Sequence, residues 1–342
     1  MKNIERSTIG LDSLAYIVII LAGIKISASI ITPFLLSLFI VIIFKPFSDS
    51  LINKGIPRWL TFTIISIIVL LFGFLVVTII SVSVQSFSEN LSFYNEKLNS
   101  YRDELVLLSR KLGISEKDQL TSILNPAKIM SFVAGALTNF SDILSNSILI
   151  LLTVIFIFIE TNIFPDKIKV ITKDEKTLRY FHEINHQVNN YMMIKTVISA
   201  GTGIIIGIAL ALIRLDFAIL WGLIAFLLNY IPNIGSLIAA IPPIILALIQ
   251  FGIPGAIGVT VIFLVINFVI GNYIEPKVMG KGLGLSVLIV FLSLIFWGWL
   301  LGPVGMLLSV PITLVFKIIM QAQPQKRWIA VLLGDGSDIS EL

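Results

Sequence analysis

Cysteine is missing from this 342-residue chain, and charged residues make up only 13% of it. The lack of cysteine excludes disulfides, thiolate metal sites and cysteine nucleophiles. A soluble globular protein usually contains about 25% charged residues. Because 57% of the residues are hydrophobic, the shortage of charge excludes a water-soluble domain and indicates a protein dissolved in the lipid bilayer. The net charge is +4, and the basic residues lie between apolar segments without forming a basic stripe, so no nucleic-acid partner is expected. No cofactor is expected either.

Long charge-free segments identify the membrane helices, since about 20 apolar residues are needed to cross the hydrocarbon. The sequence predicts crossings at residues 14–24, 26–44, 59–88, 143–159 and 196–213. Gly201, Gly203 and Gly207 in the last of them allow close approach of another helix. The predicted fold is an all-α polytopic membrane protein with about six full transmembrane helices, two broken re-entrant-like helical hairpins and eight or more hydrophobic segments in total.

Proline and glycine interrupt the last two charge-free segments. Residues 217–274 could form roughly 87 Å of helix, but Pro232–Gly235 and Pro254–Gly255 interrupt them. Residues 282–316 could form roughly 52 Å, with an interruption at Gly302–Pro303. The pieces between the breaks are too short for comfortable crossings. They favour helical hairpins that enter the membrane and turn back, with ordinary kinked helices as the alternative.

The two interrupted segments share a pattern that points to a transporter. Trp221-Gly222 precedes Pro232 and Gly235, just as Trp297-Gly298 precedes Pro303 and Gly305. Paired interruptions of this kind are typical of transport sites built from discontinuous helices. Neutral polar residues beside them can hydrogen-bond a small polyhydroxylated solute at low desolvation cost. The predicted substrate-binding and translocation residues are Asn229, Tyr230, Pro232, Asn233, Gly235, Ser236, Asn267, Asn272, Glu275, Pro303 and Gly305.

Glu275 supports an alternative function. It ends the long charge-free run, and a carboxylate in this place can bind a proton or a cation, as a cation/proton antiporter requires. Lys195, by contrast, lies at the end of a span, where the expected role of a lysine is to reach the interface with its amine.

The chain divides into five regions. They are an N-terminal three-helix membrane region (1–84), an external amphipathic helical segment (85–142), the fourth span with a cytoplasmic amphipathic helix (143–190), a transport core with broken hairpins (191–322) and a cytoplasmic tail (323–342). Lysine and arginine in the short loops place both termini in the cytoplasm. In the external segment, apolar residues recur at alternating spacings of three and four, which predicts an amphipathic helix packed on its own chain or on another subunit. They are Leu91, Tyr94, Leu98, Tyr101, Leu105, Leu108 and Leu112.

One short pattern suggests zinc chemistry. His182-Glu183-Ile184-Asn185-His186 matches H-E-x-x-H, in which two histidines bind zinc and the glutamate acts as a general base. These are the only two histidines of the chain, and no third ligand follows at a familiar spacing. An amphipathic helix ahead of a membrane span explains the segment better. A membrane zinc metalloprotease is therefore a remote alternative, and no enzymatic activity and no metal site are expected.

Several sequence blocks resemble the autoinducer-2 exporter (AI-2E) family of bacterial permeases. They are Leu220-Trp221-Gly222, residues 229–235, residues 239–243, residues 271–280 and the long block 282–311. The dense similarity covers about residues 217–333, whereas the N-terminal half is similar in layout only. The resemblance implies a multi-pass protein of the bacterial cytoplasmic (inner) membrane that exports autoinducer-2, a furanosyl borate diester, or its precursor in quorum sensing. It also implies a homo-oligomer, a pentamer in the family, while other members resemble Na⁺(Li⁺)/H⁺ antiporters, so protons or Na⁺ are the candidate coupling ions.

Overall fold

The computed structural model describes residues 15–16, 18–111, 135, 147–161, 163–171, 175–232, 234–279 and 284–336. This part of the chain is helical, apart from one isolated antiparallel bridge between Leu285 and Gly334, which confirms the predicted all-α class there. The α-helices are α1 (Ala28–Asn53), α2 (Arg58–Glu89), α3 (Leu91–Lys111), α4 (Ser147–Thr161), α5 (Phe164–Ile171), α6 (Glu175–Leu212), α7 (Ala218–Leu228), α8 (Ile234–Val269), α9 (Glu275–Met279), α10 (Val287–Ala322) and α11 (Arg327–Leu333). A π-helical turn at Ile270–Ile274 and a 3-10 turn at Pro324–Lys326 complete the elements.

Five helices of the described residues are long and apolar enough to cross a bilayer. They are Ala28–Asn53, Arg58–Glu89, Leu178–Leu212, Ile234–Met279 and Val287–Ala322, and shorter apolar helices occur at Leu149–Thr161 and Ala218–Leu228. Helix α2 agrees with the predicted span 59–88 to within one residue at each end. The first predicted span, 14–24, begins outside the described residues, and its part from residue 18 onward is helical. The total of about six crossings, the orientation of the termini and the five regions stay predictions.

Helix α6 differs from its prediction. The sequence suggested a separate amphipathic helix followed by a span at 196–213, whereas α6 is one continuous helix of 38 residues. No proline or glycine occurs between Glu175 and Ala200, so nothing in the backbone interrupts the hydrogen-bond ladder where the polar part meets the apolar part.

The chain forms two compact units. The first unit contains Met1–Ser66, Ile148–Met193 and Lys281–Leu342, and the second contains Ile67–Ser147 and Ile194–Gly280. Parts of α2 and α6 therefore belong to each unit.

In the first unit, α10 is the central helix and packs against α1 and α11. The segment before α10 is tied to the end of α11, because the Ser286 amide donates to the Leu333 carbonyl at 3.0 Å and the Asp335 amide donates to the Gly284 carbonyl at 3.2 Å. Buried Lys317 also donates to the Gly284 carbonyl, at 2.7 Å. Three parts of the chain thus converge on the start of α10.

In the second unit, an apolar core forms around Trp221, which is fully buried among residues of α2, α3, α6, α7 and α8. Helices α6 and α7 meet with their backbones in contact, since a Cβ added to Gly222 would lie 2.7 Å from the Gly203 carbonyl oxygen and 3.0 Å from the Gly207 Cα. The predicted close approach is confirmed for Gly203 and Gly207. It is wrong for Gly201, which has open space beside it.

The predicted amphipathic helix is confirmed over α3, whereas its external position stays a prediction. Tyr94 and Leu98 of its apolar seam are buried, whereas Leu91 is 38% exposed. The side chains of Leu105 and Leu108, and all of Leu112, lie outside the described residues.

Two long helices contain a single glycine with a backbone conformation essentially restricted to that residue type. Gly252 in α8 has φ 72° and ψ −163°, and Gly302 in α10 has φ 69° and ψ −153°. A side chain with a Cβ would be strained in this region. These positions confirm the breaks predicted at Pro254–Gly255 and Gly302–Pro303, and they show that a glycine makes each turn.

The chain folds back on itself at both glycines. In a straight helix, residues eight apart are separated by roughly 12 Å. However, a Cβ on Gly255 would lie 3.0 Å from the Ala247 carbonyl oxygen, and a Cβ on Gly305 would overlap the Trp297 carbonyl group. The Trp297 indole N–H also donates to the Thr313 hydroxyl across the second turn, at 3.1 Å.

A third reversal joins α7 to α8, where a Cβ on Gly235 would overlap the Leu228 carbonyl group. This confirms the predicted break at Pro232–Gly235. The sequence paired that break with the one at Gly302, but the structure pairs Gly302 with Gly252. In both of these turns a second glycine, three residues after the first, packs against the carbonyl group that lies five residues before the first. The pairs are Gly255 with Ala247 and Gly305 with Trp297.

We expect alanine to be excluded from the turn of α10 for two separable reasons. Gly302→Ala adds backbone strain in open space, whereas Gly305→Ala forces overlap with a fixed backbone group. Each should lower the unfolding free energy by roughly 1–3 kcal/mol and reduce the Tm in detergent by several degrees. Gly258→Ala is the control, since it has open space beside it. Equal Tm values for all three variants would contradict the tight-turn geometry.

Candidate functional site

A small group of polar residues lies on one face of α6. Ser199 is four residues from Lys195 and three from Thr196, so its side chain lies next to both of them on the helix surface. Lys195 and Ser199 are buried. Buried polar groups need hydrogen-bond partners, and these come from the reversal between α7 and α8 and from the segment after α8.

The reversal supplies two of the predicted site residues. The Asn229 side-chain amide donates to the Ser199 hydroxyl at 3.0 Å, and the Tyr230 hydroxyl donates to the Thr196 hydroxyl at 2.8 Å. Asn229 is 8% exposed and Tyr230 is 2% exposed. The turn at the end of α7 therefore holds both side chains against α6.

Glu275 forms an ion pair with Lys195. The Lys195 Nζ lies 2.5 Å from Glu275 Oε1, with side-chain exposures of 4% and 23%. The π-helical turn Ile270–Ile274 comes directly before Glu275. Such a turn changes the direction in which the next residues point, and π-helical turns occur frequently at functional sites. Ionisable residues among apolar helices are costly and usually functional.

The structure therefore brings together Lys195, Thr196, Ser199, Asn229, Tyr230 and Glu275, which we call the polar cluster. Three of these residues are predicted site residues. The interfacial role predicted for Lys195 is wrong, because its amine is buried against a carboxylate. Thr196 and Ser199 were missed, although their spacing from Lys195, at the change of α6 from polar to apolar residues, is a signal that could have found them.

Four other predicted site residues of the second unit lie outside the polar cluster. Ser236 and Asn267 are half-buried, Pro232 is half-buried in the reversal, and exposed Asn272 donates to the carbonyl of Phe268 in its own helix, at 3.0 Å. Asn233 lies outside the described residues. Gly235 closes the reversal. Pro303 and Gly305 belong to the turn of α10 in the first unit.

The ion pair bears on the antiporter alternative. A carboxylate that binds Na⁺ or Li⁺ must direct its oxygens at the cation. Glu275 already neutralises a buried ammonium group, so a metal cation would have to displace Lys195 and leave that charge unpaired. The geometry does not favour a simple cation site at this carboxylate.

The H-E-x-x-H pattern lies in the polar part of α6. Glu183 accepts a hydrogen bond from the Gln187 amide at 3.0 Å, and the His182 ring lies beside Phe181. Among the residues that the structure describes, no group of three His, Asp or Glu side chains gathers here or elsewhere. The described residues therefore offer no third ligand for the remote zinc protease interpretation.

Comparisons with known proteins agree with the sequence blocks. A family model described as AI-2E family transporter matches residues 14–325. The chain is 40% identical to a putative transport protein of Haemophilus influenzae over 98% of each chain. It is 40% identical to the AI-2 transport protein TqsA of Escherichia coli over 94% of each chain, and 37% identical to the putative transport protein YhhT of Escherichia coli over 96% of this chain and 95% of the other. The similarity therefore includes the N-terminal half.

The Lys195–Glu275 pair gives a stability prediction. Lys195→Met and Glu275→Gln each leave a poorly solvated charge without its partner, and each should lower the unfolding free energy by about 2–3 kcal/mol. The double variant leaves no unpaired charge, so its loss should be smaller than the sum of the two single losses. Thermal unfolding in detergent measures all three.

The exposed pair Lys167–Glu160 is the matched control, with side-chain exposures of 53% and 48%. The same substitutions there should change the unfolding free energy by less than about 1 kcal/mol. Strictly additive effects at Lys195 and Glu275 would show that the pair carries no coupling energy.

Proposed function

The chain belongs to the AI-2E family of transporters, and we propose that it exports a small polar signal molecule, autoinducer-2 or its precursor. As a transporter from a bacterial family with several long apolar helices, it is a multi-pass protein of the cytoplasmic (inner) membrane. Outer-membrane proteins of bacteria span their membrane as β-barrels, which a helical chain does not form.

The observation that carries the proposal is the polar cluster. It brings hydroxyl groups of α6 together with the side chains of Asn229 and Tyr230 where α6 enters a charge-free region. A hydroxylated solute gives up several hydrogen bonds to water when it leaves the aqueous phase, and each lost bond must be replaced. The side-chain oxygen of Asn229 can accept such a bond, and the hydroxyl group of Ser199 can donate one. The four neutral residues of the cluster, Thr196, Ser199, Asn229 and Tyr230, can bind this solute without the desolvation cost of full charges.

The helix reversals also support a transport role. Each compact unit contains a helix that turns back at a glycine. Broken helices with non-helical backbone at membrane depth are a recurrent feature of secondary transporters, where they form solute sites and allow parts of the protein to move.

The choice of autoinducer-2 as the solute rests on similarity to a named relative. A relative with 40% identity over 94% of each chain has the name AI-2 transport protein. Coupling of export to a proton or Na⁺ gradient, and assembly as a homo-oligomer, a pentamer by resemblance, are parts of the same proposal. The remaining predicted site residues, including Asn233, belong to it as candidates for solute contact.

Labelled autoinducer-2 precursor and inside-out membrane vesicles test the proposal. Vesicles with the protein should accumulate the label faster than empty vesicles, and the rate should depend on an imposed proton or Na⁺ gradient. Absence of protein-dependent accumulation under every gradient would contradict autoinducer-2 as the solute. If expression of the protein leaves the Na⁺ and Li⁺ tolerance of an antiporter-deficient host unchanged, cation/proton exchange is excluded as its function.

Two variants connect the activity to the polar cluster. Ser199→Ala and Tyr230→Phe each remove one hydroxyl group, and loss of one hydrogen bond to the solute should raise KM roughly fivefold. Tyr16→Phe is the control, because Tyr16 is 65% exposed and lies in the first unit. The same KM for all variants would place the solute elsewhere.

A further inference from the structure

The second unit has a second polar network at the other end of α6. Asp216 lies in the turn between α6 and α7 and binds three elements. Its carboxylate accepts a hydrogen bond from the Tyr94 hydroxyl of α3 at 2.7 Å. Its amide donates to the side-chain oxygen of Gln250 of α8 at 3.1 Å, and its carbonyl accepts from the Trp221 indole N–H of α7 at 3.0 Å.

The turn around Asp216 is strained. Arg214 has φ 60° and Phe217 has φ 59°, and in the described part of the chain they are the only residues other than glycine with positive φ. Non-glycine residues are held in this conformation only where the surrounding contacts require it. The hydrogen bonds of Asp216, which lies between them, supply such contacts.

Helix α3 lies across this end of the unit. Tyr94 is fully buried and stacks on Phe87, with ring centroids 5.4 Å apart, while Leu98 is 3% exposed. One turn further along, the Tyr101 ring covers the reversal of α8, with its hydroxyl 3.3 Å from the place of a Cβ on Gly252. The helix therefore contacts both the α6–α7 turn and the Gly252 turn.

Burial raises the pKa of the Tyr94 hydroxyl, and the hydrogen bond with Asp216 raises it further. The phenol therefore stays protonated over the physiological pH range and remains a hydrogen-bond donor. The bond to a carboxylate is of the stronger, charge-assisted kind.

The two polar networks are far apart along α6. Lys195 and Leu212 are separated by roughly 26 Å of helix, which is close to the thickness of the hydrocarbon core of a bilayer. The polar cluster and the Asp216 network therefore lie near opposite ends of the membrane-spanning part of the unit.

We infer that α3 is a strap that closes one end of the second unit, and that the Tyr94–Asp216 hydrogen bond is its latch. When the latch opens, the strained turn relaxes and α3 leaves the two turns that it covers, so that a solute can pass this end of the unit. The inference rests on the proposed function, because a gate needs a transported solute.

Cross-linking tests whether α3 must move during transport. The chain has no cysteine, so two introduced cysteines are the only thiols that can react. In the variant Tyr94→Cys/Asp216→Cys, a short bis-methanethiosulfonate reagent should join α3 to the turn. Cross-linked protein in vesicles should lose at least nine-tenths of its autoinducer-2 transport, and reductant should restore it. Each single-cysteine variant should transport at the same rate before and after treatment with the reagent. Full transport by the cross-linked protein would overturn the inference.

Hydrogen exchange gives a second test that needs no solute. Tyr94→Phe removes the latch hydroxyl and keeps the ring, so amide exchange in α3 should become about tenfold faster. Tyr101→Phe is the matched control on the same helix. Its hydroxyl has no hydrogen bond to a described residue, so exchange should stay within twofold of the parent protein.

The two tests separate the two proposals. If the parent protein does not carry autoinducer-2, the proposed solute is wrong, and the exchange measurement still decides whether the latch holds α3. Equal exchange rates in Tyr94→Phe and in the parent protein would overturn the latch.

Discussion

In an apolar solvent every backbone N–H and C=O group must find its hydrogen-bond partner inside the protein, and most features of this structure follow from that constraint. With 57% hydrophobic residues and 13% charged residues, the described chain satisfies its backbone through helices. A change of direction within the membrane then becomes the costly step, because it interrupts the ladder. Glycine lowers that cost at Gly252 and Gly302, where the backbone reverses with a φ near 70° and the next helix begins at once. Reversals without a Cβ let neighbouring carbonyl groups lie close to the returning chain instead of facing lipid.

How far the sequence predicts this fold depends on the range of the interactions involved. The bounds of α2 follow from local composition, since Arg58 and Glu89 mark the ends of a charge-free stretch. The reversals follow from glycine and proline, although the matching geometry of Gly252 and Gly302 is visible only in the dihedral angles. The Lys195–Glu275 contact could not be predicted, because it joins residues 80 positions apart and depends on the π-helical turn at Ile270–Ile274, which has no sequence signal that we can identify.

The candidate site shows the same division. Asn229 and Tyr230 were predicted because neutral polar residues beside a helix break are conspicuous in an apolar chain. Their partners Thr196 and Ser199 are small hydroxyl residues of the kind that membrane helices often contain, where they commonly bond to their own backbone, as Thr202 does to the Ile198 carbonyl at 2.8 Å. Only the packing of the α7–α8 reversal on α6 distinguishes a hydroxyl that belongs to a site from one that serves its own helix.

Between its two polar ends, α6 meets α7 with its backbone in contact at Gly203, Gly207 and Gly222. The Gly203 carbonyl oxygen lies 2.7 Å from the place of a Cβ on Gly222, so the two backbones touch and no solute fits between them. A polar solute that followed this face of α6 would have to separate the helices. Packing of small residues in a membrane is weak for each contact. At one end the hydrogen bond from Asn229 to Ser199 joins the two helices directly, and at the other the bond from Trp221 to the Asp216 carbonyl ties α7 to the turn that connects it to α6. The hydrogen bonds at the two ends of α6 and α7 therefore oppose separation of these helices most strongly, and a solute or a released strap can break them. Once they are broken, the glycine contacts between the ends can separate.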